Sequence, residues 1–274
     1  MSSQSFEDHA SPRAGRLEAA LTVAPVGDRW HAIADPGYEA SNGMFGGWTT
    51  AIALAAVLRT ADVAHTPSAI TINFLSAVAP GAAIEIRTER LGGGRSVSHW
   101  RADVHPAGSG ELHATANVVL TDRRATDTHL QLVMPSAPEP DDLPEFHPPD
   151  PAGERSVIRP VSGMPPFGRG DTYSVGWVRE LSGRPVDHVQ LAYLADQCAP
   201  RSFFWSDGPR RSATLTMTVY FHATADELAA VGDDYVLHEA FATRGVASTA
   251  DQHVRMWSRS GTLLATSEQI CLYR

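Results

Sequence analysis

The sequence predicts an α+β chain of two similar domains in tandem, each a long buried helix wrapped by a curved antiparallel sheet. Three observations carry this reading. At 274 residues the chain has room for two domains of about 100–150 residues each. A stretch near the middle is crowded with prolines, from Pro135 to Pro151, and proline forbids central strands and helix interiors. The regions on either side follow the same order, one apolar helical run and then a series of strand-like runs.

Residues 1–24 are polar at the start (MSSQSFEDHASPRAGR), lack the apolar core of a secretory signal, and predict a flexible lead-in. The first domain, 25–124, opens with a possible strand, RWHAIAD. GMFGGWTTAIALAAVLRTA follows, led by glycine and apolar nearly all round, as a buried helix requires. Three strand-like runs come next, AITINFLSAV, AAIEIRTERLG and SVSHWRADVH, and ELHATANVVL closes the set. Residues 125–151 predict a connector.

The second domain, 152–274, repeats the order. TYSVGWVREL precedes the helical DHVQLAYLADQCA, and ATLTMTVYFHA, YVLHEAFATRG, QHVRMWSRSG and LLATSEQICLYR follow. The strands are β-branched, roughly alternating and separated by turn residues at hairpin distances, which favours antiparallel pairing. The closing strands match, LHATANVVL beside LLATSEQICL. A buried helix with a curved antiparallel sheet around it, occurring twice, is a tandem or double hot-dog fold. Each half leaves a sheet edge to be covered, and the two edges can pair as an internal pseudo-dimer.

Composition excludes several functions. The 43% apolar fraction supports a sizeable core, yet no run approaches the roughly 18 apolar residues of a membrane span. A net charge of -9 argues against nucleic acid as a partner. Cys198 and Cys271 lack metal-type spacing and predict buried thiols in a reducing cytoplasm. No HExxH or GxSxG occurs, so neither a zinc hydrolase nor a serine nucleophile elbow is expected, and no metal or cofactor is predicted.

A few residues stand out. Gly46 and Gly47 open the first helix, where backbone amides are free to bind an oxyanion or another backbone packs closely. Asp196 lies in an apolar helical run, where a carboxylate is costly unless hydrogen-bonded or functional. Thr214 shares an alternation face with Thr216, Thr218 and Tyr220, and Gln269 shares one with Ala265, Ser267 and Cys271. Gly92, Gly93 and Gly94 form a hairpin turn before Arg95.

These pieces resemble the acyl-CoA thioesterase II family, the double hot-dog thioesterases, over roughly residues 25–274. The resemblance rests on MFGGWTTAIALAA and INFLSAVAPGAAIEIRTERLGGGRSVSHWRADV in the first half. In the second it rests on IRPV, LAYLADQ, ATLTMTVYFH and GTLLATSEQICLYR. It implies an acyl-CoA substrate hydrolysed by a water that Asp196, Thr214 and Gln269 hold, with no cofactor. A pocket walled by Phe45, Gly46, Gly47, Trp48 and Tyr193 is expected with it; the residues themselves suggest Arg95 near a CoA phosphate, and a cytoplasmic protein that associates as a homo-oligomer is expected. Three departures accompany the resemblance: Thr216 and Met217 where the family's strand often carries acidic and histidine residues, a short Asp196–Thr214 spacing, and Trp48 after the glycines. The competing readings are a non-catalytic acyl-CoA or lipid-binding protein and a hot-dog hydratase or dehydratase. The latter pairs an Asp with a nearby His, and no His follows Asp196 within nine residues. A thioester of an aromatic or polyketide-type acid is a further possible substrate.

Overall fold

The computed structural model describes residues 16–61, 64–164 and 167–274. Of the expected lead-in, 1–15 lie outside the described residues, and the rest is not a free tail. Arg16–Ala20 form a short helix, α1, and Leu17, Ala20, Leu21 and Val23 are buried in the main core. Leu17, Ala20 and Leu21 stand at the three- and four-residue spacing of one helical face.

The first half continues with β1 (Ala24–Val26), β2 (Arg29–Ile33) and a small ribbon, β3 (Glu39–Ala40) with β4 (Gly43–Met44). The ribbon feeds α2 (Gly46–Thr60), and β5 (Thr66–Phe74), β6 (Ala83–Gly93), β7 (Val97–Pro106) and β8 (Ala114–Thr121) follow. The second half contains β9 (Ser156–Ser162), β10 (Ser174–Glu180), α3 (His188–Leu194), β11 (Ser212–Phe221) and α4 (Ala225–Val231). It ends with β12 (Val236–Phe241), β13 (Gly245–Val246), β14 (Thr249–Trp257) and β15 (Leu263–Tyr273).

The large sheet runs β1-β2-β6-β7-β8-β5-β11-β15-β14-β12-β10-β9, with β13 paired to β14. Read outward from the β5·β11 seam, the two halves repeat each other strand for strand. The seam is antiparallel, from Ala69 opposite Tyr220 to Asn73 opposite Thr216, so the edges cover each other as the tandem reading expects. Inside the curve α2 and α3 pack together in one core that draws on both halves, with Ile70, Ile72, Met217 and Val219 fully buried beneath them.

The connector is packed. Leu132, Met134, Ala137 and Leu143 lie against a second apolar cluster of Val157, Val175, Trp177, Tyr235, Leu237 and Trp257. The Trp177 indole N–H donates to the Pro138 carbonyl at 2.9 Å. No helix among the described residues is long and apolar enough to cross a membrane.

One hairpin is strained. Val246 pairs with Thr249, and the two residues between, Ala247 and Ser248, have φ of 49° and 66°. Two positive-φ residues make this a type I′ turn, which favours Asn-Gly. Each β-carbon in the left-handed region costs about 1 kcal/mol. Ser248→Gly is therefore expected to raise stability by about 1 kcal/mol, read as a higher urea midpoint at unchanged slope.

Candidate active site

Three hydrogen bonds join residues that are distant in sequence. The Thr214 hydroxyl donates to Gln269 Oε1 at 3.0 Å. The other end of that amide, Nε2, donates to Asp196 Oδ1 at 3.0 Å. Asp196 Oδ2 accepts from the Gly47 N–H at 3.0 Å. With its oxygen occupied by Thr214, the Gln269 amide must present its N–H end to the carboxylate. The structure thus brings Asp196, Thr214, Gln269, Gly46 and Gly47 to one place between the halves.

Local features put each there. Asp196 was expected inside the helix, but α3 ends at Leu194 and Asp196 lies in the turn after it. Pro200 cannot continue a helix and restricts the residue before it. The chain turns instead through Gln197 N–H to Leu194 C=O and Cys198 N–H to Asp196 C=O. Arg201 clamps this turn. Wholly buried, it donates to the carbonyls of Ala199, Thr172 and Ala240 and to Ser174 Oγ.

Thr214 departs from the expected alternation. The β11·β15 register shifts between Thr214 and Thr216, so Leu215 is a bulge residue with no partner. A bulge re-aims the side chains on either side of it. Thr214 consequently shares the inner face with Met217 and Val219 rather than the outer one with Thr216 and Thr218. The outer face is marked by Thr218 Oγ1, 3.0 Å from Thr71 Oγ1 across the seam. Gln269 keeps the expected face with Ala265, Ser267 and Cys271, and all four are buried or nearly so.

Burial raises the Asp196 carboxyl to about 6, and the hydrogen bonds from Gln269 and Gly47 offset only part of that rise. The carboxylate is thus ionised at neutral pH yet basic enough to take a proton. Burial also pushes the thiols of Cys198 and Cys271 up to about 12 and 11. They remain protonated and are poor nucleophiles. Cys271 has a structural place: its Sγ is 3.7 Å from both Thr214 Oγ1 and Gln269 Oε1.

The glycines are required by close approach. A Cβ on Gly46 would stand 2.7 Å from Asp196 Oδ2 and 3.4 Å from Phe74 Cζ. A Cβ on Gly47 would overlap the Tyr193 carbonyl oxygen and lie 2.5 Å from Phe45 Cε1. Phe45 and Tyr193 meet edge to face at 5.4 Å beside them. The Tyr193 hydroxyl bonds Ser156 Oγ and Gln197 Nε2. Phe74, at the end of β5, is a wall that sequence reasoning missed, because a strand-terminal Phe carries no separate signal.

Trp48 and Arg95 do not join this cluster. Trp48 is fully buried, but its indole N–H donates to the Ala20 carbonyl at 3.1 Å, on the α1 side of the helix. Arg95, on the β6–β7 turn, accepts through its carbonyl from His65 Nε2, next to the first residue of β5. The Asp196–Gln269–Thr214 cluster is at the other end of β5, by Asn73 and Phe74. Roughly 26 Å of strand separates the two ends. No group of three or more His, Cys, Asp or Glu among the described residues could hold a metal ion.

Comparison with known proteins agrees with this architecture. An acyl-CoA thioesterase N-terminal domain matches residues 34–138, and an acyl-CoA thioesterase C-terminal domain matches 134–273. A conserved protein of unknown function with a hot dog fold from Alicyclobacillus acidocaldarius is 31% identical, with a TM-score of 0.89 over 94% of this chain and 98% of that one. The tesB protein of Mycobacterium avium subspecies paratuberculosis is 22% identical, with a TM-score of 0.78 over 95% and 99%. Acyl-CoA thioesterase II TesB2 from Mycobacterium marinum is 20% identical, with a TM-score of 0.73 over 94% and 97%. No curated protein matches the sequence.

Proposed function

This chain belongs to the acyl-CoA thioesterase family, and from that premise we propose that it hydrolyses acyl-CoA to free acid and CoA at the Asp196–Gln269–Thr214 site. The observation that carries the proposal is the Asp196 carboxylate, held by an oriented amide against the start of α2. A water bound to Asp196 attacks the thioester carbonyl. Its oxygen bonds to that carbon while a proton passes to the carboxylate. Negative charge then collects on the former carbonyl oxygen, beside the first amides of α2, where the helix dipole is positive. Gly47 N–H already serves Asp196, and Gly46 N–H has no acceptor among the described residues, so the latter is the better placed donor. When the tetrahedral species collapses the C–S bond breaks, and the thiolate takes the proton from Asp196. Thiolate leaves readily, so neither metal nor covalent nucleophile is needed.

Asp196 has Gln269 and Gly47 as partners and no histidine, which favours hydrolysis over hydration or dehydration. Release of free CoA thiol from a panel of short, long, branched and aromatic acyl-CoAs tests the reading. The expected result is turnover of at least one class. A protein that binds acyl-CoA but releases no thiol from any of them would be a carrier rather than an enzyme.

A further inference from the structure

The carrier portion of the proposed substrate bears a diphosphate and a further phosphate, so a chain of net charge -9 must gather positive charge where it docks. Most arginines are committed elsewhere. Arg29 pairs with Glu85, Arg101 with Glu89 and Asp103, Arg184 with Asp187 and Glu18, Arg255 with Glu239, and Arg259 with Asp234. Arg123 and Arg201 are spent on backbone carbonyls. The side chains of Arg210, Arg211, Arg244 and Arg274 are exposed and make no ion pair among the described residues, as is also true of Arg59, Arg87, Arg90, Arg95 and Arg169; the Arg244 backbone N–H donates to Asp251 Oδ1 at 2.8 Å. What sets the first four apart is where they stand.

These four collect at the catalytic end of the second half. The Arg274 N–H donates to the Arg211 carbonyl at 3.0 Å, so the two lie side by side beyond the ends of β15 and β11. Thr214 is three residues along β11 from Arg211, and Gln269 is five along β15 from Arg274. The Arg244 hairpin is drawn to the same end. Gly245 lies under Trp205, with a would-be Cβ 2.5 Å from Cζ2, and Trp205 meets the Tyr273 ring at 5.7 Å. Tyr273 N–H also donates to the Ser248 carbonyl at 2.8 Å. Across from them, Asn42 Nδ2 donates to the Ser212 carbonyl at 2.7 Å, tying the segment before Gly46 to the same edge. Asp207 is the one carboxylate in the stretch from 205 to 211.

We propose that Arg210, Arg211, Arg244 and Arg274 form the rim that takes the phosphate groups of coenzyme A. This rests on the thioesterase reading and deepens it. Roughly 10 Å of extended strand separates Arg211 from Thr214. The extended pantetheine arm and the reach of an arginine side chain span such a gap. Guanidinium groups suit this work, since they stay charged and offer paired N–H donors to phosphate oxygens. Arg95, on the β6–β7 turn of the first half, stands at the far end of the sheet and lies outside this rim.

The test compares Arg211→Glu/Arg274→Glu with the wild type on an acyl-CoA and on the same acyl group carried by pantetheine, which lacks the phosphates. The expected result is a KM for acyl-CoA raised about tenfold, with kinetics on acyl-pantetheine unmoved. Added salt should raise the wild-type KM for acyl-CoA more steeply than that of the variant. Equal changes on both substrates, no change on either, or the same rise from Arg95→Glu would overturn the rim. Titration calorimetry with free CoA separates this from the parent reading. If wild type releases no thiol but binds CoA, and the double variant binds it about tenfold more weakly, hydrolysis fails and the rim stands. If wild type binds no CoA, the rim falls. The milder Arg211→Gln/Arg274→Gln pair repeats each arm should the charge reversals fold poorly.

Discussion

Asp196→Asn is expected to lower kcat by about 10²–10⁴-fold, the usual contribution of a positioned general base. Asparagine keeps the shape of the side chain but cannot accept the proton from the attacking water. In the wild type, kcat/KM should rise about tenfold per pH unit below the carboxyl's titration near 6 and level off above it. The variant should lose that rise along with the rate. Stability moves the opposite way. The folded carboxyl titrates above the ordinary 3.8, so between about 4 and 6 the native state holds more protons than the unfolded chain. Wild-type stability should therefore fall as pH rises through that window, and the variant should show a flatter profile. Thiol release and thermal melts across pH 4–8 read both effects. Retained turnover in Asp196→Asn would remove Asp196 as the base.

Gly46→Ala and Gly47→Ala form the second prediction, because adjacent and chemically identical changes should act differently. At 47 the new methyl meets the Phe45 ring and the Tyr193 backbone, and the latter cannot yield without parting α2 from α3. A loss of about 1–3 kcal/mol follows, as for other overpacked sites. At 46 it meets the end of the Asp196 side chain, which can swing aside. The fold should survive, since alanine favours a helix, while kcat falls about 10²-fold from a displaced base. Denaturation midpoints together with kcat distinguish the pair. Full activity in Gly46→Ala would show that the seat of Asp196 is not critical.

The repeated order of helix and strands was legible because each strand is a β-branched alternating run bounded by turn residues, and α2 is apolar on every side. Short elements were not. α4 is announced only by a capping box of Thr224 and Glu227, and α1 by three apolar positions after a polar start. Asp196 and Gln269 were visible as polar groups in apolar company. The inward aim of Thr214 was not, since alternation places it with Thr216 and only the bulge at Leu215 reverses it. Arg95 was visible beside its glycine turn, but its distance from Asp196 was not, since only the tertiary arrangement decides which end of the sheet holds the carboxylate.

The β5·β11 seam has a consequence for the order in which the molecule matures. Gly47 and Asp196 are 149 residues apart, Asp196 and Gln269 are 73, and Thr214 and Gln269 are 55. Contacts so remote along the chain close late, after each half has formed its own hairpins. A nascent or refolding chain would therefore hold most of its strands before it holds a catalytic centre. Recovery of turnover would lag recovery of secondary structure, and enzymatic activity would clock the docking of the two halves.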